Sequence, residues 1–188
     1  VALKETNAAL KTTGRLSIKD VDSPQTFVAQ SDVAGANGSF SIDTSGRWSY
    51  VAKNSFDELN DGQNVSDSFT VASSDGTATT VKVTINGTND AAVLSAAKVV
   101  LTETNEVLST NGALSISDVD SPESFVAQSD VTGKNGTFSI DRAGAWTYVA
   151  NSAFDELNVG KSVSDSFKVA SADGTTTTVR VTITGSND

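Results

Sequence analysis

The sequence predicts an all-β chain built as two tandem β-sandwich domains, residues 1–90 and 91–188, of about seven strands each. Three observations carry this. The chain repeats itself without a gap: Trp146 lies 98 residues beyond Trp48, as Pro122 does beyond Pro24 and Asp188 beyond Asp90, and roughly two thirds of the aligned positions are identical. Solenoid units span about 20–50 residues because none can bury a core alone, so a period of this size predicts self-sufficient domains instead. Second, short runs of Val, Thr, Ser and Phe alternate with Gly, Asn and Asp turns every 8–12 residues or so. Third, long helical periodicity is absent.

The second half is complete and sets the frame for both. Val93 to Glu103 reads as a first strand, and Asn105 to Asn111 as a polar turn region. In Gly112 to Asp118, Leu114 and Ile116 face one way and Ser115 and Ser117 the other, the period of two that marks a half-buried strand. Pro122 lacks a ladder donor and ends that region. Ser124 to Asp130 reads as a third strand. Asn135-Gly136 signals a hairpin, because both residues tolerate positive φ. Thr137 to Asp141 and Ala145 to Ala150 form the next pair around the turn at 141–144, with Phe138, Ile140, Trp146 and Tyr148 on the core face. Ser152 to Leu157 reads as one helical turn with Ser152 as N-cap. Ser164 to Ser171 and Thr175 to Thr184 form a last hairpin turning at Asp173-Gly174.

Composition excludes several functions. There is no histidine and no cysteine, so a Ser-His-Asp triad, a cysteine nucleophile, a disulfide and a thiolate metal site are all impossible. The glycines stand singly in turns, so no phosphate-cradling loop is present. Carboxylate pairs such as Asp118 and Asp120 sit at a strand end with little cleft about them, and an enzyme is not expected. With 23 acidic against 13 basic residues the net charge is −10, which repels nucleic acid and anionic lipid. No apolar run approaches the ~20 residues of a membrane-spanning helix. Val1 falls where the second half has a strand, so the chain reads as an excerpt of a longer protein.

Acidic residues on such a chain suit hard cations, which take carboxylate and carbonyl oxygens. Strand directions sort them by end. Glu5, Asp57, Glu58 and Asp67 fall at the far end of the first domain, Asn89 and Asp90 in the linker, and Asp118, Asp120 and Asp173 at the near end of the second. Unneutralised, such an apposition is costly. The expected metal ligands are therefore Glu5, Asp57, Asp67, Asn89, Asp90, Asp118, Asp120 and Asp173, and the expected ion is Ca2+. Mg2+ is disfavoured by its strict octahedron and retained waters. Asp43 and Asp141 are expected only to cap their turns.

The motifs also carry a resemblance. Leu-Ser-Ile-x-Asp-Val-Asp, Asn-Gly-x-Phe-x-Ile-Asp-x-x-Gly-x-Trp-x-Tyr, Phe-Asp-Glu-Leu, Val-Ser-Asp-Ser-Phe, Asp-Gly-Thr and the Gly-x-Asn-Asp ending together resemble the VCBS repeat over both halves. The resemblance implies a cadherin-like or immunoglobulin-like fold and tandem spacer repeats in large bacterial RTX-type adhesins. It implies export by type I secretion to the cell surface, with a role in adhesion and biofilm formation. It also implies bound calcium. Cadherins place calcium on a linker Asn-Asp, a Glu ending the first strand and an Asp-x-Asp of the next domain; Asn89-Asp90, Glu5 and Asp118-Val119-Asp120 match these in type. Gly87-Thr88 departs from the fuller acidic linker of cadherins. The expected partners are neighbouring repeats of the same chain, the expected solution state a monomer. The alternative function is a carbohydrate- or protein-binding module.

Overall fold

A computed structural model describes residues 1–187. It is all-β, with no helix among the described residues, and the chain forms two compact units that meet between Asp90 and Ala91. Asp188, the counterpart of Asp90, lies outside the described residues.

The first unit contains β1 (Ala2–Lys4), β2 (Lys11–Arg15), β3 (Gln30–Ala34), β4 (Gly38–Ile42), β5 (Arg47–Ala52), β6 (Asn64–Ala72) and β7 (Ala78–Asn86). They make a three-stranded sheet, β1-β7-β6, and a four-stranded sheet, β2-β5-β4-β3. β1 runs parallel to β7; every other pair is antiparallel. The core lies between the sheets. Phe40, Ile42, Trp48 and Tyr50 enter from one and Phe69, Val71, Val81, Val83 and Ile85 from the other. Phe40 stacks on Phe69 at a centroid distance of 4.7 Å, joining the two layers.

The second unit contains β8 (Val93–Leu94), β9 (Ala97–Thr102), β10 (Ser109–Ala113), β11 (Ile116–Ser117), β12 (Gln128–Thr132), β13 (Gly136–Ile140), β14 (Ala145–Ala150), β15 (Ser162–Ala170) and β16 (Thr176–Thr184). It repeats both sheets, as β15-β16-β9 and β10-β14-β13-β12, and adds the small pair β11-β8. Phe138 and Phe167 reproduce the 4.7 Å stack.

Several sequence expectations are corrected here. The first strand is broken: β8 pairs antiparallel with β11, whereas β9 pairs parallel with β16, so the chain changes partner at Ser95-Ala96. The second strand likewise ends at Ala113 and resumes as β11, and the third lies later, at Gln128–Thr132. The helical turn at Ser152 is a tight non-helical turn. Phe154 takes φ 65°, its counterpart Phe56 φ 67°, and Leu157 N–H donates to the Phe154 carbonyl at 2.9 Å. A left-handed Phe costs about 1–3 kcal/mol. Burying its ring against the core returns about as much, which explains an otherwise forbidden residue.

Asn135-Gly136 does open a hairpin strand, but not for the expected reason. Gly136 is absent from the positive-φ residues; a Cβ there would lie 2.4 Å from the Tyr148 ring and hydroxyl and 2.5 Å from the Val149 carbonyl. The glycine is needed for close approach. Asp43 and Asp141 cap their turns as expected: Asp43 Oδ1 accepts from Ser45 N–H at 2.8 Å and Arg47 N–H at 3.0 Å, and Asp141 Oδ1 from Ala145 N–H at 2.9 Å.

Candidate metal centre

In the first unit one carboxylate oxygen each from Glu5, Asp57 and Asp90 lie within 4.8 Å of one another. Local structure accounts for each. Glu5 follows β1 and continues its pairing, donating its N–H to the Asn86 carbonyl at 2.8 Å. Leu3 and Glu5 share the inward phase of that strand, so the Glu5 side chain is buried, at 4% exposure. Thr88 then fixes it: both its N–H, at 3.0 Å, and its hydroxyl donate to Glu5 Oε1. Asp57 follows Phe56 in the tight turn, and Gly87 brings the end of β7 against that turn. A Cβ on Gly87 would lie 2.2 Å from the Leu59 carbonyl oxygen and 2.3 Å from that of Asn60. The turn and the segment carrying Asp90 are thereby pressed together. Replacing Gly87 with Ala is expected to push them apart and destabilise the first unit by about 1–3 kcal/mol, measured by thermal unfolding.

Three carboxylates this close repel by on the order of 1 to 3.5 kcal/mol per pair across the range from bulk water to a protein surface. Asp57 Oδ1 is buried with no hydrogen-bond partner among the described residues. A buried carboxylate oxygen without a donor is costly unless a cation meets it. The set offers oxygen only, the preference of Ca2+. These residues fit a hard divalent cation, and Glu5, Asp57 and Asp90 would hold it.

The other candidates are placed differently. Asp67 is not in this group. Its carboxylate is buried and accepts from Tyr50 O–H at 2.9 Å, Ala36 N–H at 2.9 Å, and the Asn37 N–H and side-chain amide at 3.2 Å each. That is a structural role, and Asp165 repeats it with Tyr148, Lys134 and Asn135. Burial, followed by the neighbouring carboxylate, pushes both phenols well above the usual tyrosine range. Glu58 is exposed. Asn89 is exposed and donates its side-chain amide to the Asp90 carbonyl at 2.9 Å.

In the second unit, Asp118 Oδ1 accepts from Ser121 N–H at 2.8 Å and Asp120 N–H at 3.2 Å, closing the Asp-x-Asp bend. Asp118 Oδ2 is buried with no hydrogen-bond partner among the described residues. The 171–173 turn lies against this loop, since Ala172 N–H donates to the Ser124 carbonyl at 2.9 Å. Asp173 locks its own turn, accepting from the Ser171 hydroxyl, Thr175 N–H at 3.1 Å and Thr175 O–H at 2.6 Å, and also from Ala92 N–H at 3.1 Å. Burial opposes ionisation there, but these hydrogen bonds win and hold the carboxyl well below the usual carboxylate range. Its oxygens are thus largely occupied. In the first unit, hydrogen bonds from Asp22 and Ser23 hold Asp20, the counterpart of Asp118, low, while burial and the charge of Asp75 oppose them.

Sequence reasoning missed Thr88. It read Gly87-Thr88 as a gap in an acidic linker, whereas the glycine permits the approach and the threonine orients Glu5. The repeat held the signal, because Ser186 does the same for Glu103, donating N–H at 2.7 Å and O–H at 2.6 Å. These donors lower the Glu103 carboxyl from its ordinary value.

Two sandwiches in series, each with a parallel first and last strand and carboxylates gathered at its ends, define tandem cadherin-like repeats of the adhesion type. The chain belongs to the family described as the bacterial cadherin-like domain, which matches twice, over residues 1–87 and 89–185. Cadherin-like domains are extracellular and typically bind Ca2+ between domains. Among solved structures the chain is similar to Drosophila N-cadherin EC1-4, at 20% identity and TM-score 0.42, covering 86% of this chain and 40% of that one. It is similar also to Drosophila N-cadherin EC1-3, at 13% and 0.44, covering 98% and 62%. Protocadherin gamma B7 domains 1-4 align at 14% and 0.43, covering 100% and 49%. The chain thus spans 40% to 62% of the length of these structures. No curated protein matches it.

Proposed function

We propose that the chain is a pair of VCBS-type spacer repeats from a large bacterial RTX-type adhesin, non-enzymatic, in which Ca2+ stiffens the linkage between repeats. The observation that carries this reading is the meeting of Glu5, Asp57 and Asp90 within 4.8 Å, with Asp90 the last residue of the first unit. An ion on Asp90 holds the backbone at the point where one repeat passes into the next. Asp118 and Asp120, with their bent Asp-x-Asp geometry, are carried in the proposal as further ligands, and Asp173 and Asn89 as weaker ones. Extracellular calcium modules bind at about 10⁻⁴–10⁻³ M, so the linkage would be loose during type I export and stiff at the cell surface. Such a series of stiff repeats would carry a terminal adhesive domain away from the cell, in support of attachment and biofilm formation.

The test is small-angle X-ray scattering of the chain in millimolar Ca2+ and then in excess chelator. A well-defined longest dimension in calcium, giving way to the profile of two flexibly tethered beads, is the expected result. An unchanged profile removes the calcium brace.

A further inference from the structure

The outward face of the four-stranded sheet of the first unit holds a shallow groove of about 670 Å³, floored by Thr13, Ser31, Ser41 and Ser49 with Gln30 beside them. Thr13 and Ser49 are strand positions turned away from the core, as the alternation of exposed and buried residues along β2 and β5 shows, whereas Gln30 pairs opposite buried Ile42 and donates its amide to the Thr70 carbonyl. On the same face β2 presents Lys11 and Arg15, and β5 presents Arg47. Arg15 and Arg47 are direct cross-strand partners, both exposed. Like charges placed opposite one another destabilise a sheet. On a chain of net charge −10, three cations gathered on one face call for an explanation.

The second unit supplies the comparison. It has a groove of about 530 Å³ at the same register, lined by Asn111, Ser129, Ser139 and Thr147. All three cations are gone there: Ser109, Ala113 and Ala145 replace Lys11, Arg15 and Arg47. The fold therefore does not require them. β10 and β14 carry no cation, although Arg142 stands on the neighbouring turn.

We propose that this face of the first unit binds an acidic polysaccharide, with a uronate carboxylate seated between Arg15 and Arg47. The paired guanidinium forks match a carboxylate, and the anion relieves their mutual repulsion. Thr13, Ser41 and Ser49 offer hydroxyls to the sugar ring. Asp43 borders the groove and its charge attracts Arg47, which offsets part of the repulsion, while its Oδ1 accepts from Ser45 and the Arg47 N–H. Asp32 lies across the sheet on β3, where its N–H donates to Ser41 Oγ at 2.9 Å, so the anion belongs on the β2–β5 side. Ile42 and Trp48 also line the groove, so a sugar ring lays its apolar face against them while its hydroxyls meet Thr13, Ser41 and Ser49.

The experiment is titration of the whole chain with short oligogalacturonate, followed by heteronuclear NMR. Excess chelator is present throughout, so that no calcium is shared between the uronate and the Glu5 group and the calcium reading is not what is tested. Shifts confined to β2, β4 and β5 are expected, with none in the second unit. R15A/R47A copies the residues that the second unit carries and so keeps the fold. It is expected to weaken binding about tenfold or more, whereas A113R/A145R is expected to confer binding on the second unit. The proposal is overturned if oligogalacturonate does not bind, if a neutral oligosaccharide binds as well, if oligoglutamate binds as well, or if R15A/R47A leaves the affinity unchanged.

Discussion

Replacing Asp165 with Ala is expected to destabilise the second unit by about 3–5 kcal/mol while leaving the first unit intact. The carboxylate is 6% exposed and accepts four hydrogen bonds, from Tyr148 O–H at 3.0 Å, Lys134 N–H at 3.0 Å, Asn135 N–H at 2.9 Å and the Asn135 side-chain amide at 3.0 Å. Each donor left buried without a partner costs about 1–3 kcal/mol, less where water can reach it. A domain of this size has on the order of 5–15 kcal/mol in total. Tyr148→Phe removes only one of the four bonds and is expected to cost about 1–2 kcal/mol. Amide hydrogen exchange resolved by peptide separates the units. Protection should collapse in β12 to β15 and persist in β3 to β6, where Asp67 still holds Tyr50 and Asn37. Equal loss in both units, or a cost below about 1 kcal/mol, contradicts the structural role assigned to this carboxylate.

Calcium is expected to raise the thermal midpoint of the first unit by about 10 °C or more. At a hundred times its Kd, which is about 10–100 mM for a module of this affinity, an ion stabilises the folded state by about 2.7 kcal/mol, and a domain of this length gains about 4–8 °C per kcal/mol. Asp57→Asn should show two effects of opposite sign. Without calcium the variant loses a repulsive charge from a set within 4.8 Å and is expected to be more stable than the parent by about 1 kcal/mol. With calcium it should fall below the parent, because the ion has lost a charged ligand. Asp90→Asn should behave alike. Differential scanning calorimetry in chelator and in calcium gives both numbers. A parent midpoint indifferent to calcium is evidence against an ion at this group.

The repeat and the alternation of strands were legible because both are periodic. β6 and β7 read as strands from Val65, Phe69, Val71, Val81, Val83 and Ile85 alone. The break between β8 and β9 was not legible, since Ser95 and Ala96 carry no breaking residue; what ends the strand is a change of partner, from β11 to β16. The turn at Phe154 was misread because its local sequence favours a helix, while the burial of the ring decides the conformation. Glu5 and Asp57 were placed by tracing strand directions, and the structure brings them together with Asp90. Asp67 was misplaced by the same tracing. The strand phase spoke against it: Val65, Asp67, Phe69 and Val71 lie on one face of β6, so Asp67 points inward to Tyr50. Strand direction says which end a residue occupies, and phase says whether it can leave the core.

In each unit the parallel pairing of the last strand with a strand near the unit's start bears on load. Tension along the chain reaches β1 in the first unit and, past the short β8, β9 in the second, and leaves through the last strand, which lies beside it in the same direction: β1 against β7 over Ala2–Lys4, and β9 against β16 over Ala97–Thr102. A pull on strands so arranged slides one along the other. The hydrogen bonds between them are strained in concert and must yield together, where a hairpin pulled at its open end would unzip one bond at a time. Each unit is thus a shear clamp. In a single-molecule pulling experiment each unit is expected to resist more than a hairpin of equal length pulled at its open end.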